Sequence, residues 1–345
     1  MANDGVHLRK EGAAGHITLD RPKALNALTF DMVAAMLARL REWARDPEIK
    51  AVVLDAAPGR AFCAGGDIRA IYESGKKRDG HAAQFFTTEY RLNATIKHFP
   101  KPYVSLIDGL VMGGGAGITI HGAIRVVSEN ALFAMPETAI GLFPDIGASH
   151  FLNLLPGRIG LYLALTGARI SPADMIHAGL ATHFVASKDF AEIVARIAQG
   201  EEPASVLAGL AGEPGPSELA KNRAAIDHAF AQTSVEDIVP ALKNEGERGR
   251  AATDMLARCS PTSLKLTFRQ MKEGAAQPDL ESGLAMEYRL ALRVLEGHDF
   301  YEGVRAVLID KDQTPRWRPD TLSAVSDAEI ARYFAPLGAS DWTPL

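Results

Sequence analysis

The run Ala51-Val52-Val53-Leu54 is apolar at every position. As a strand it has no face to give to water and must lie inside a sheet covered on both sides. Upstream, residues 15–19 read as another short strand. Between the two, Phe30, Val33, Leu37, Leu40 and Ala44 recur at three- and four-residue intervals, while Arg39, Arg41, Glu42 and Arg45 lie mostly elsewhere. That is the pattern of an amphipathic helix. The strand, helix, strand theme returns at residues 103–107 and 124–127, which flank a glycine-rich stretch, 109–122. The first half therefore reads as an α/β layer structure. Residues 201–216 (EEPASVLAGLAGEPGP) break the alternation with three prolines and three glycines. Beyond them, residues 217–256 and 261–295 carry long helical patterns and no convincing strand. A chain of 345 residues accommodates two domains at roughly 150 residues each, and the expected division is an α/β core over 1–200 and a helical region over 201–345.

Charge and composition exclude several classes. Lys and Arg number 37 against 42 Asp and Glu, a net charge of −5, and no dense basic run is present. Nucleic acid is not an expected partner. With 47% hydrophobic and 23% charged residues the chain is neither disordered nor collagen-like. Cys63 and Cys259 are the 2 cysteines, too few and too distant for a disulfide framework or a four-ligand zinc site, so a reducing compartment is expected. No apolar run reaches the ~20 residues that span a bilayer. The opening MANDGVHLRKEG lacks the apolar core of a secretory signal and the Arg/Ser-rich, acid-poor character of a transit peptide. These features point to a cytoplasmic protein with no membrane partner.

Three stretches carry chemistry. Ala61-Phe62-Cys63-Ala64-Gly65-Gly66-Asp67-Ile68 follows the buried strand. It reads as a strand-to-helix turn whose small residues let a ligand reach backbone N–H groups, with Asp67 available as a helix cap. Met112-Gly113-Gly114-Gly115-Ala116-Gly117 also opens a helical pattern, although each glycine costs a helix roughly 1 kcal/mol relative to Ala. Close helix packing, or close approach of a substrate, must require them. The spacing fits neither a dinucleotide nor a nucleotide phosphate loop. In the third stretch, Met135 to Gly147 (MPETAIGLFPDIG), Glu137 and Asp145 each follow a proline in apolar surroundings. A carboxylate that loses hydration there has a raised pKa suited to proton transfer. The structural alternatives are an ion pair for Glu137 and a helix cap for Asp145. No G-x-S-x-G elbow or H-E-x-x-H pair is present, so serine and zinc hydrolases have no support. The histidines stand singly, His150 alone lying near a candidate carboxylate, and Cys63 reads as a small buried filler.

Together and in this order, these stretches resemble the enoyl-CoA hydratase/isomerase (crotonase) superfamily. The opening Leu19-Asp20-Arg21-Pro22-Lys23-Ala24-Leu25-Asn26-Ala27-Leu28 is similar to the segment that family uses against coenzyme A. Within the superfamily the chain resembles the branch that hydrolyses 3-hydroxyisobutyryl-CoA, through Glu89-Tyr90-Arg91-Leu92-Asn93, the AMPETAIGLFPDIG run and Gly297 to Asp312 (GHDFYEGVRAVLIDKD). The likeness covers about residues 15–185 and 260–319. It implies a spiral of β-β-α units followed by a mainly helical C-terminal region that packs over the acyl end of the pocket.

The resemblance also implies roles. The N–H groups of Gly66 and Gly114 form an oxyanion hole. Ala64, Gly65, Gly66, Asp67 and Ile68 hold the adenine through backbone contacts, and Lys23, Ala24 and Leu25 line the pantetheine and phosphates. Glu137 maps to the catalytic glutamate, Asp145 to an acid characteristic of the hydrolase branch, and Glu89 to a substrate-contacting glutamate. Hydratases place a second glutamate where this chain has Gly117, and glycine transfers no proton. Thioester hydrolysis is therefore expected, with Glu137 either activating water or attacking directly. A departure at Gly147-Ala148-Ser149-His150 leaves the acyl preference open. Coenzyme A is part of the substrate, and no cofactor or metal is expected. The other readings are an enoyl-CoA hydratase or isomerase and a silent CoA-binding protein. Superfamily members commonly trimerise through the helical region, and the longer tail after Ser260 bears on whether a homo-oligomer forms here.

Overall fold

The computed structural model describes residues 5–344. They form two compact units built from interleaved segments: residues 5–67, 88–133 and 170–220 in one, and residues 68–87, 134–169 and 221–344 in the other.

The first unit holds two sheets. The hairpin β1 (Val6–Glu11) and β2 (Ala14–Leu19) is antiparallel, and β2 then pairs in parallel with β3 (Ala51–Ala56). The order continues through β5 (Tyr103–Ile107), β7 (Ile124–Val127) and β9 (His183–Phe184), giving six strands. After each of β3, β5 and β7 the chain crosses to a smaller sheet, made of β4 (Ala61–Cys63), β6 (Leu110–Met112) and β8 (Leu132–Ala134). This alternation between sheets is the expected spiral of β-β-α units. The strands expected at 15–19, 51–54, 103–107 and 124–127 are all present, and Val52, Val53 and Leu54 are fully buried, as an all-apolar central strand requires. Val53, Val104, Leu106 and Val126 pack with Ile193, Ile197, Val206 and Leu207, each side chain contributing about 1.5–3 kcal/mol on full burial.

Helix α1 (Phe30–Arg45) buries Met32, Val33, Met36, Leu37, Leu40 and Trp43. The apolar stripe is thus centred on the methionines and Trp43, with Phe30 and Ala44 only half-buried at its edge. Thr29 caps the helix, its hydroxyl accepting the Met32 N–H at 3.2 Å. Helix α2 (Ile68–Lys77) follows β4, α3 (His81–Lys97) leads to β5, and α4 (Gly114–Ile120) follows β6.

The second unit is helical. Residues 217–256, expected as one long pattern, are interrupted twice. Ser234 caps a new helix through the Asp237 N–H at 3.1 Å, and Gly246 turns the chain with φ +64°. Residues 261–295 likewise divide into two helices, capped by Ser260 and Asp279. Short polar side chains that bond the backbone locally end a helix and start the next, and apolar periodicity alone does not show such breaks. The helices that bear on the site are α5 (Ala148–Phe151), α6 (Pro261–Gly274), α7 (Leu280–Val294) and α8 (Asp299–Val304).

Thr29→Ala removes the cap of α1 and is expected to cost about 1 kcal/mol, read as a lowered urea midpoint at unchanged m-value.

Candidate active site

In the first unit, the segments expected to meet coenzyme A are joined to each other by backbone hydrogen bonds. Ala64 N–H donates to Leu25 O at 3.0 Å, Leu28 N–H to Gly65 O at 2.8 Å and Asp67 N–H to Leu28 O at 2.8 Å. Leu25 and Asn26 both take left-handed backbone, φ 52° and 55°. The Asn26 side chain accepts from Arg21 N–H at 2.7 Å and donates to Ala61 O and Phe62 O at 3.1 and 3.0 Å. Asn26 is therefore the clamp of this loop. Its signal was available, since asparagine tolerates left-handed backbone better than most residues, but the sequence reading did not single it out. Lys23, Ala24 and Leu25 are exposed, and Leu25, at 39%, is one of two large apolar side chains exposed among the described residues. Asp67 lies 3.5 Å from the Arg21 guanidinium, and Ile68 begins α2.

Gly66 and Gly114 come together. A β-carbon on Gly114 would stand 3.1 Å from Gly66 N and would collide with Glu89 Oε1. The space beside Gly114 is thus bounded by a backbone N–H and a carboxylate, and glycine is what keeps it open. As the first residue of α4, Gly114 has an N–H with no intrahelical acceptor. Close packing accounts for the next glycine of the run, since a β-carbon on Gly115 would collide with Cys63 O. Glu89, on α3, is 2% exposed. The Cys63 thiol donates to Asn26 O at 3.1 Å, and burial pushes its pKa up to about 12. That is an inert filler, as expected.

In the second unit, Glu137 opens a one-turn 3-10 helix, Glu137–Ile140. The turn is held from several sides. Thr138 Oγ1 donates to Leu165 O at 3.2 Å, and Ser260 N–H donates to Thr138 O at 3.1 Å. Ser260 Oγ donates to Asp299 Oδ2 at 2.6 Å, so the late motif on α8 backs this turn through Ser260. Glu137 and Asp145 are each 6% exposed. Glu137 Oε2 is buried with no hydrogen-bond partner among the described residues, so the ion-pair alternative does not hold. Its pKa is raised well above the ordinary carboxylate value, first by burial and then by the charge of Asp145.

Where α5 opens, Ala148 N–H donates to Asp145 O at 2.9 Å, but the N–H groups on either side of it find an acceptor far away in sequence. Gly147 N–H donates to Glu287 Oε2 at 2.6 Å and Ser149 N–H to Glu287 Oε1 at 2.8 Å. Gln270, on α6, donates to Pro144 O at 2.6 Å and to Glu287 Oε1 at 3.2 Å. Glu287 lies on α7, is fully buried, and has its pKa raised by burial to about 7. Sequence reasoning missed Glu287 and Gln270. A single glutamate in an amphipathic helix looks like surface charge, and the two residues meet the Asp145 segment through contacts more than a hundred positions away. Among the described residues no group of three or more His, Cys, Asp or Glu side chains is placed to hold a metal ion, and no helix is long and apolar enough to cross a membrane.

A family model described as enoyl-CoA hydratase/isomerase matches residues 14–334. The chain belongs to the enoyl-CoA hydratase/isomerase family. It is 48% identical to a Xenopus tropicalis protein named 3-hydroxyisobutyryl-CoA hydrolase, mitochondrial, over 97% of this chain and 89% of that one. Among solved structures it is similar to one titled a carnitinyl-CoA dehydratase from Mycobacterium thermoresistibile, with TM-score 0.95, 42% identity and coverage of 99% of both chains. A second, titled an enoyl-CoA hydratase from Rhodobacter sphaeroides 2.4.1, has TM-score 0.93 and 41% identity over 99% of this chain and 100% of that one. The crotonase fold is thereby shown. The cytoplasmic expectation is overturned: curated relatives from frogs and from human are named mitochondrial. Cysteine usage reports a reducing interior, which the cytosol shares with the mitochondrial matrix, and says nothing of address.

Glu137 and Glu287 both hold protons more tightly folded than unfolded. Between about pH 4.5, where an unfolded Glu ionises, and its raised folded value, each binds a proton that the unfolded chain has released. Unfolding free energy therefore falls as pH rises through this window, by up to about 1.4 kcal/mol per pH unit for each group. Glu137→Gln is expected to flatten that slope in urea melts run upward from about pH 4.5, the ordinary value for the group, and an unchanged slope contradicts the raised pKa.

Proposed function

We infer that this protein hydrolyses the thioester of 3-hydroxyisobutyryl-CoA to 3-hydroxyisobutyrate and free coenzyme A, a step of valine breakdown, with 3-hydroxypropionyl-CoA as a second substrate. The observation that carries this reading is the buried pair Glu137 and Asp145 in a chain whose α4, Gly114–Ile120, holds no carboxylate and has Gly117 where hydratases place a second glutamate. The name of the relative at 48% identity agrees with it. The titles of the two solved structures favour hydration of an enoyl thioester instead. That reaction needs a second proton-transferring group at the position of Gly117, which glycine cannot supply.

The chemistry divides between named groups. Glu137, as the carboxylate, takes a proton from water as the water oxygen bonds to the thioester carbon. Charge moves onto the thioester oxygen, where the N–H groups of Gly66 and Gly114 receive it, and a single donor of this kind is worth about 10²–10³ in rate. As the carbon–sulfur bond breaks, the proton on Glu137 passes to the departing thiolate and restores the carboxylate. A raised pKa suits both transfers, because it brings the group nearer to working pH. Asp145 and Glu89 orient the attacking water and the substrate hydroxyl. Lys23, Ala24 and Leu25 take the pantetheine and phosphates, and the backbone of Ala64, Gly65, Gly66, Asp67 and Ile68 takes the adenine. Every proton step is assigned to a side chain, so the reading calls on no cofactor beyond the coenzyme A of the substrate.

Glu137→Gln is expected to lower kcat by about 10²–10⁴-fold while coenzyme A thioester binding by calorimetry changes less than about threefold. Turnover near that of the unsubstituted protein would sink the assignment. A single turnover in H₂¹⁸O reveals direct attack followed by opening at the glutamyl carbon: label then enters the Glu137 carboxyl and the first product is unlabelled, whereas water activation puts the label in the hydroxy acid and none in Glu137.

A further inference from the structure

We propose that Glu287 is a positioning residue for this reaction: its carboxylate, reaching from α7, holds the turn Asp145-Ile146-Gly147 in the conformation that presents Asp145. This rests on the function proposed above. The turn is one the chain does not adopt unaided. Ile146 is a fully buried β-branched residue with φ 57°, followed by Gly147 with φ 84°. A β-branched side chain in left-handed backbone is a genuine outlier, and such strain persists where the surroundings over-determine it.

The surroundings do so here chiefly through one carboxylate. Glu287 Oε2 accepts Gly147 N–H and Oε1 accepts Ser149 N–H, at 2.6 and 2.8 Å, and Ala148 N–H between them donates to Asp145 O at 2.9 Å, so all three amides that follow the strained residue are held, two of them by Glu287. Gln270 closes the other side, its amide bridging Pro144 O and Glu287 Oε1. Asp145 thus sits between two anchored points, the Pro144 carbonyl before it and the Gly147 amide after it. The helices approach closely enough because Gly274 ends α6 against this segment, where a β-carbon would stand 2.5 Å from Ser149 O. A carboxylate is the side chain that fits. Once ionised, above its pKa of about 7, it is acceptor-only and offers an oxygen to each N–H, whereas a carboxamide would turn its NH₂ toward one of them at any pH. The N–H groups opening a short helix usually find a local Ser, Thr, Asp or Asn. Here Gly147 is the capping residue and has no side chain, and the acceptor comes from a helix about 140 positions later.

The test is Glu287→Gln, which keeps the size of the side chain and removes one acceptor. Turnover of 3-hydroxyisobutyryl-CoA is measured per site titrated with coenzyme A, and amide exchange is followed by mass spectrometry over residues 144–152. The expected result is a kcat lowered about tenfold or more with KM within about threefold, and exchange over 144–152 accelerated at least tenfold. Loss of folded protein alone lowers the number of binding sites and leaves kcat per site unchanged. Wild-type kcat together with wild-type exchange in Glu287→Gln would overturn the proposal. Should that variant fail to fold, Gln270→Met removes the Pro144 tether and carries the same expectation in milder form. If the unsubstituted protein cleaves no 3-hydroxyacyl thioester, the proposed reaction falls, while the exchange measurement still decides whether Glu287 holds the segment.

Discussion

A carboxyl group removed from water beside a second acid is the constraint around which the site is organised. Glu137 is almost fully buried, has an oxygen with no hydrogen-bond partner among the described residues, and feels the charge of Asp145. Burial without compensation costs stability and raises the pKa. A protein selected for stability alone has no reason to keep such a group, whereas proton transfer near neutral pH does. The turn that carries it is supported from several directions, by Leu165, Ser260 and, through Ser260, Asp299. The helical unit therefore does more than bury apolar surface. It supplies the hydrogen bonds that keep two acids at fixed positions in an apolar setting.

The first unit brings the two glycine segments together. The spiral passes from the larger sheet to the smaller one after β3, β5 and β7, and the ends of β4 and β6 lead into the two glycine segments. Gly114 keeps open the space next to Gly66 N and Glu89 Oε1. Asn26 fixes the neighbouring loop through three hydrogen bonds. The glycines at these two places also serve backbone and packing, Gly65 with φ +107° and Gly115 with no room for a β-carbon beside Cys63 O.

Much of this was legible in the residues. All-apolar strands, the helix over 30–45 and the two glycine segments follow from period and composition, because each depends on neighbours close in the chain. The motif Met135 to Gly147 announced its two acids through prolines and apolar neighbours. Three things were not legible. The breaks at Ser234 and Gly246 depend on caps and a left-handed residue inside a continuous apolar pattern. The anchoring of Gly147 and Ser149 by Glu287 joins positions 140 and 138 apart, and no local pattern carries a contact of that range. The cellular address is not a property of the folded chain, and the cytoplasmic expectation failed for that reason.

The names attached to similar proteins divide between hydrolysis and hydration, and the chain's own residues favour hydrolysis because Gly117 offers no second acid. The most direct measurement is thiol release from 3-hydroxyisobutyryl-CoA, 3-hydroxypropionyl-CoA and isobutyryl-CoA, run beside the absorbance change of crotonyl-CoA. Fast release from the two 3-hydroxyacyl thioesters, slow release from isobutyryl-CoA and no hydration of crotonyl-CoA is the result this account predicts. Hydration of crotonyl-CoA with no thiol released from any thioester would contradict it.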